Sequence, residues 1–167
     1  MKKSSPPHAG FAILAVTSLS SFVTPFTGAS VNMALPAIGT DLNLNAVTLT
    51  WVSTAYLLAS AVFLLPFGRM ADLYGRHSVF IVGTWSFMIF SVLGALAPSG
   101  TWLLAARVFQ GIGSAMIFST SVALLTSAFP PQERGRVLGW NVTGVYLGLT
   151  LGPVLGGALI HTLGWRS

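Results

Sequence analysis

What limits this chain most is how little of it can face water. Five apolar runs leave only short polar gaps between them, and of 167 residues 53% are hydrophobic and 7% charged. Soluble proteins carry about 25% charged residues, so a water-soluble domain of this length has too few to cover itself. A lipid bilayer removes that requirement. Its hydrocarbon core takes roughly 20 apolar residues per spanning helix. The runs read as spans at Phe11–Leu35, Val47–Phe67, Ser78–Ala97, Trp102–Ser127 and Val137–Ile160. Their length and lack of strict alternation favour helices over the strands of a membrane barrel. The expected fold class is therefore all-α integral membrane, with five transmembrane helices.

The charges are few but ordered. If the spans alternate in direction, Lys2, Lys3, Arg69, Arg76, Arg134 and Arg136 fall on one side, and Arg166 with Asp41 on the other. Basic residues concentrate on the cytoplasmic side of membrane proteins, so residues 1–10 form a cytoplasmic tail and 11–167 a transmembrane domain. The expected location is the plasma (cell inner) membrane, multi-pass. A sequence pI near 10.5 would suit a nucleic-acid binder, but these bases sit in inter-span gaps rather than on a soluble face, so no nucleic-acid partner is expected. Lys2-Lys3 before an apolar run also fits a cleaved leader. The run, however, exceeds the usual ~7–15 residues, and no small-x-small site follows it. With no cysteine in the chain, disulfides and thiolate metal sites are excluded.

Between the spans, Pro36 suits a helix end, followed by a loop over Ala37–Ala46. Gly68–His77 reads as a second loop, Pro98–Thr101 as a tight turn, and Ala128–Arg136 as a third loop. Polar residues recur at helical spacing within the spans: Thr17, Ser20, Ser21, Thr24, Thr27, Gly28 and Asn32 in the first; Ser53, Tyr56 and Ser60 in the second; Arg107, Gln110, Ser114 and Ser121 in the fourth. Such stripes face a protein interior or a wet cavity, or act as hydrogen-bonding glue between helices. Spans three and five read as packing and hinge helices.

Three local patterns go further. Gly68, Asp72, Gly75 and Arg76 stand at the spacing G-x-x-x-D-x-x-G-R. The glycines permit a sharp reversal, and the acid and base can pair locally or bind neighbouring helix ends; an ordinary basic loop reads the same way. In span five, Gly148, Gly152 and Gly156 share one face, and Gly139, Pro153 and Gly157 complete a glycine-rich set. Small residues at this spacing let another helix approach, and Pro153 removes a backbone hydrogen bond and favours a bend. Arg107 lies inside span four, roughly 9 Å from its end. It either snorkels to the interface or faces inward to bind substrate or modulate a proton site.

Together these patterns resemble the major facilitator superfamily of secondary transporters, in its drug-efflux branch. The glycine loop is similar to that family's motif between the second and third helices, and Arg107-Val108-Phe109-Gln110-Gly111-Ile112-Gly113 to its fourth-helix motif. The run Gly139 to Gly157 is similar to the antiporter pattern G-x8-G-x3-G-P-x2-G-G. Asn32-Met33-Ala34-Leu35-Pro36-Ala37-Ile38 and Gly164-Trp165-Arg166 are similar to stretches of the fourteen-helix drug:proton antiporter branch. The resemblance implies most of an N-terminal six-helix half-bundle. It further implies export of small amphipathic or drug-like molecules, with a proton gradient rather than a bound cofactor as energy source, and places Arg107 on the basic residue linked to coupling. There are two departures. Leu73 stands where the family often has a basic residue, and Thr27 where the branch commonly has Asp. No acid lies inside any of the five spans, so a proton-carrying carboxylate would have to come from elsewhere.

The expected substrate cavity and coupling residues are Arg107, Gln110, Asn32, Thr27, Tyr56 and Tyr146. Phe118 and Met116 add apolar surface, and the aromatics offer cation–π contacts. No Ser–His–acid set shares a site, and His8, His77 and His161 lie in the tail or at loop ends, so neither an enzyme nor a metal site is expected. The partners implied are a small-molecule substrate, membrane lipid and C-terminal helices of the same protein, since the chain reads as the front of a longer one. An importer or exchanger on the same fold, and a truncated or non-transporting membrane scaffold, are the alternatives.

Overall fold

A computed structural model describes residues 7–166. Five α-helices follow one another: α1 Pro7–Asp41, α2 Ala46–Tyr74, α3 Arg76–Ala95, α4 Gly100–Ala128 and α5 Pro131–Leu163. All five are long and apolar enough to cross a membrane. A helix satisfies its own backbone donors and acceptors, as hydrocarbon demands. Outward-facing side chains such as Leu65, Leu73 and Val154 are largely exposed, the surface that lipid would wet.

Except at the end of α3, which stops at Ala95 rather than Ala97, the helices overrun the apolar spans, and the loops shrink accordingly. Pro36 does not end α1, which continues to Asp41; the expected ten-residue loop is only residues 42–45. The expected loop over Gly68–His77 is helix except for Gly75, which turns the chain with φ of 96°, a value glycine tolerates because it has no Cβ. The third loop reduces to Phe129 and Pro130, with Pro131 at the start of α5. Local chemistry sets these ends, not hydropathy. Asn45 caps α2 by accepting from the Thr48 backbone N–H at 2.8 Å, and Ser99 caps α4 by accepting from Trp102. Such caps satisfy helix-terminal donors that would otherwise lack partners. Of the expected tail over 1–10, residues 1–6, with Lys2 and Lys3, lie outside the described residues; α1 has begun by Pro7.

Packing divides the helices into two groups. α1 lies along α5; α2 and α3 both lie along α4, and contact between the groups is sparser. Glycine makes each approach close. A Cβ on Gly148 would stand 2.3 Å from the Phe22 carbonyl oxygen of α1, one on Gly111 2.4 Å from that of Tyr56 in α2, and one on Gly113 2.7 Å from the Phe87 nitrogen of α3. This is the small-residue packing that compensates in lipid for a missing hydrophobic drive. Polar pairs add to the α1–α5 seam: Asn141 donates to Ser21 Oγ at 2.9 Å in a buried bond, and Ser30 to the Gly152 carbonyl at 3.0 Å in a half-buried one.

At one end of the bundle Asp41 acts as a clasp. Its Oδ2 accepts from Trp165 Nε1 at 3.1 Å and from Arg166 Nη1. Arg166 Nη2 also donates to the Ala97 carbonyl at 3.3 Å. The ends of α1, α3 and α5 are thereby joined. At the opposite end, Arg76 pairs with Asp72 at 3.0 Å and donates to the Ala123 carbonyl of α4 at 3.4 Å.

Candidate functional site

The site grows from α4, the most buried of the five helices. Arg107 is only 3% exposed, so it does not snorkel. Its Nε donates to the Val52 carbonyl of α2 at 3.2 Å, and its Nη1 donates to Gln110 Oε1. The guanidinium lies 4.4 Å from the Tyr56 ring centroid, close enough for cation–π attraction. Tyr56 in turn donates to Ser114 Oγ at 3.1 Å. Gln110 Nε2 donates to Ser91 Oγ of α3 at 2.6 Å. One helix face therefore carries a polar chain linking α2, α3 and α4, with a guanidinium at its centre.

A cavity of about 340 Å³ opens beside it. α1 contributes Pro25, Gly28, Ala29 and Asn32; α2 contributes Ser53, Tyr56, Leu57 and Ser60; α4 contributes Arg107, Ser114 and Phe118; α5 contributes Leu149. It lies where the two helix groups meet. Ser53 donates to Asn32 Oδ1 across its wall. An apolar lining with a few fixed polar groups is the usual make-up of a small-molecule site. A second cavity, of about 260 Å³, also reaches Arg107 and is lined by Thr27, Ser91, Gln110 and Trp165 among others.

Of the residues singled out from sequence, Arg107, Tyr56 and Asn32 meet in the first cavity, while Gln110 and Thr27 turn to the second. Tyr146 joins neither. It is 65% exposed, about 200° around α5 from Gly148, whose face is turned to α1. Met116 packs at Gly83 of α3, whereas Phe118 lines the first cavity. Of the α1 stripe, Ser21 is glue to α5, and Thr17 and Thr24 donate to carbonyls of their own helix. The glycine–proline run of α5 also separates: Gly148, Gly152 and Gly156 press on α1, but a Cβ on Gly139 or Gly157 meets nothing within 4 Å. Pro153 lies within a continuous helix. Gly68, Arg69 and Asp72 border a shallow depression with Phe118 and Ser119. Sequence reasoning missed Ser91 and Val52 as partners of the Arg107 chain; neither a lone serine nor a backbone carbonyl carries a pattern that would have drawn attention to it.

Known proteins resemble this chain over most of its length. The multidrug resistance protein Stp of Mycobacterium tuberculosis (strain CDC 1551 / Oshkosh) is 39% identical over 155 residues, covering 92% of this chain and 29% of that protein. The riboflavin transporter RibZ of Clostridioides difficile (strain 630) is 30% identical, over 93% of this chain and 34% of its own length. The puromycin resistance protein pur8 of Streptomyces alboniger is 36% identical, over 92% and 31%. The chain thus spans about a third of the length of the curated relatives it matches. The fold matches the crystal structure of a bacterial homolog to the human lysosomal transporter Spinster, inward-facing and unoccupied. The TM-score is 0.80 at 24% identity, over 96% of this chain and 36% of that one. The sequence profile of one family accounts for residues 17–167. With five bilayer-length helices arranged as in that solved transporter and the family profile running through nearly all of them, the chain is a multi-pass membrane protein that belongs to the Major Facilitator Superfamily.

Proposed function

We propose that this chain forms the N-terminal part of a secondary transporter that exports small amphipathic molecules across the plasma membrane. The observation that carries the reading is the cavity at the junction of the two helix groups, apolar over most of its wall and bordered by the buried Arg107. Relatives named for multidrug and puromycin resistance favour drug-like substrates and outward movement. Further helices of the same protein would complete the cavity. Energy would come from a proton gradient. The three acids of the chain, Asp41, Asp72 and Glu133, do not line the Arg107 cavity, so the proposal places the proton carrier outside it. Arg107, Asn32 and Tyr56 would contact substrate, and the Asp72–Arg76 pair would hold the reversal between α2 and α3.

Inverted membrane vesicles containing the protein should accumulate at least one of three dyes, anionic, neutral or cationic, when a proton gradient is imposed. Collapse of the gradient should stop uptake. Vesicles that accumulate none would remove the transporter reading, and uptake that survives collapse would remove proton antiport alone.

The proposal also sets the N-terminus and the Arg76 and Arg134 end in the cytoplasm, on the charge bias of the loops. This chain has no cysteine, so a single cysteine introduced into it is its one thiol, and the protein without that cysteine is the labelling blank. On intact cells a membrane-impermeant maleimide should label Pro98→Cys and not Gly135→Cys, and lysis should expose the second. The reverse pattern would invert the assigned orientation.

A further inference from the structure

We infer that the Arg107 cavity selects anionic amphiphiles over cationic ones, which rests on the reading of that cavity as the substrate site. The first ground is the sign of the charge. Arg107 is buried at 3% exposure and lines the cavity, and no carboxylate accompanies it there. The three acids of the chain stand at helix ends: Asp41 closes α1, Asp72 lies near the end of α2, and Glu133 sits in the first turn of α5. A buried cation without a counter-charge is unfavourable, and a ligand anion relieves it.

The second ground is the surplus of donors. Among the described residues, Arg107 Nη2 has no hydrogen-bond acceptor; only Nε and Nη1 are engaged. Asn32 Oδ1 is occupied by the Ser53 hydroxyl, and its amide Nδ2 has no acceptor either. Both side chains line the same cavity. Guanidinium and amide donors together suit a carboxylate, sulfonate or phenolate oxygen.

The third ground is the occupied ring. The face of Tyr56 that a ligand cation would seek is covered by Arg107 itself at 4.4 Å. A cation drawn to this aromatic would be brought beside a guanidinium. The remaining wall, with Pro25, Leu57, Phe118 and Leu149, receives the apolar body of the ligand.

The test uses the protein in lipid nanodiscs, with empty nanodiscs subtracted. Equilibrium dialysis measures binding of 1-anilinonaphthalene-8-sulfonate, an anion, and ethidium, a cation. The anion should bind at least about tenfold more tightly, as one charge-assisted contact allows. Arg107→Gln, which uncovers the Tyr56 ring and removes the positive charge, should weaken the anion about tenfold and strengthen ethidium, and Arg107→Lys should retain most of the anion affinity. Asn32→Asp, which sets a carboxylate on the same wall, should reverse the preference; it also serves if the Arg107 variants fail to fold, which thermal melting reports. Ethidium binding as tightly as the anion, or anion affinity unmoved by Arg107→Gln in a folded sample, would overturn the inference. Vesicles that move ethidium in preference to the anion would sink it while leaving the transporter reading intact, whereas vesicles that move neither dye nor the neutral one would sink that reading instead.

Discussion

Gly148→Val is expected to prevent the bundle from assembling. A Cβ at that position would fall 2.3 Å from the Phe22 carbonyl oxygen, an atom of the α1 backbone that cannot rotate away. α5 would have to retreat as a whole. Retreat opens the neighbouring contacts, where a Cβ on Gly152 would stand 2.7 Å from Ala29 Cβ and one on Gly156 2.6 Å from Ser30 Cβ. It also breaks the Ser30–Gly152 and Asn141–Ser21 hydrogen bonds. Overpacking a close interface costs about 1–3 kcal/mol, and collision with main chain lies at or above the top of that range. Membrane proteins have margins of a few kcal/mol like others, so the folded fraction should collapse, seen as loss of the monodisperse peak in size-exclusion chromatography. Gly152→Val should act the same way. Gly157→Ala is the comparison: nothing lies within 4 Å of its Cβ position, and exchanging glycine for alanine inside a helix favours folding by roughly 0.5–1 kcal/mol. Equal behaviour of Gly148→Val and Gly157→Ala would refute close packing of α5 on α1.

Arg107→Ala should separate function from folding. Removing one member of a buried ion pair usually costs several kcal/mol, because the other charge is left alone. Here no carboxylate is left behind. The guanidinium engages a backbone carbonyl, Gln110 and a tyrosine ring, and loss of such neutral partners costs about 1–3 kcal/mol. Against this, the variant no longer carries a mid-membrane charge worth roughly 2.5–3.5 kcal/mol on insertion scales. The two effects nearly cancel, and the amount of protein in the membrane should stay close to wild type. Transport of an anionic dye should fall at least about tenfold, since Arg107 would supply the one charged contact to substrate. Quantitative blotting beside dye uptake checks both halves. A variant that disappears from the membrane, or one that transports normally, would show that Arg107 is a structural residue.

Much of this architecture is written in local patterns. Hydropathy gives five helices because the bilayer imposes a minimum apolar length, and glycines four apart announce a close helix interface whatever their neighbour. That the neighbour is α1 follows only from three-dimensional packing, as does the separation of Gly148, Gly152 and Gly156 from Gly139 and Gly157. The helix ends were misjudged for a physical reason: the edge of the hydrocarbon and the end of the hydrogen-bonded spiral are different boundaries. Pro36 is carried within α1; Gly75 stops α2, and the Asn45 and Ser99 caps start α2 and α4. Arg107 could be found from sequence because charge in an apolar span is rare. Its inward orientation could not, since the decisive partners, Val52 and Tyr56, belong to another helix. Asp41 and Arg166, 125 residues apart, each looked like an isolated loop charge.

The division of the bundle into α1–α5 and α2–α3–α4 bears on how it can deform. Within each group glycines lock backbone to backbone, so internal sliding meets hard collisions. Between the groups, among the described residues, the glycines of α1 meet side chains rather than backbone, as Gly39 meets Leu49 of α2, and the Arg107 cavity interrupts the junction. Displacement therefore concentrates along that line of weakness, and the void there swells or narrows first. A guest lodged in it would act as a wedge, sensing and resisting every relative shift of the two blocks.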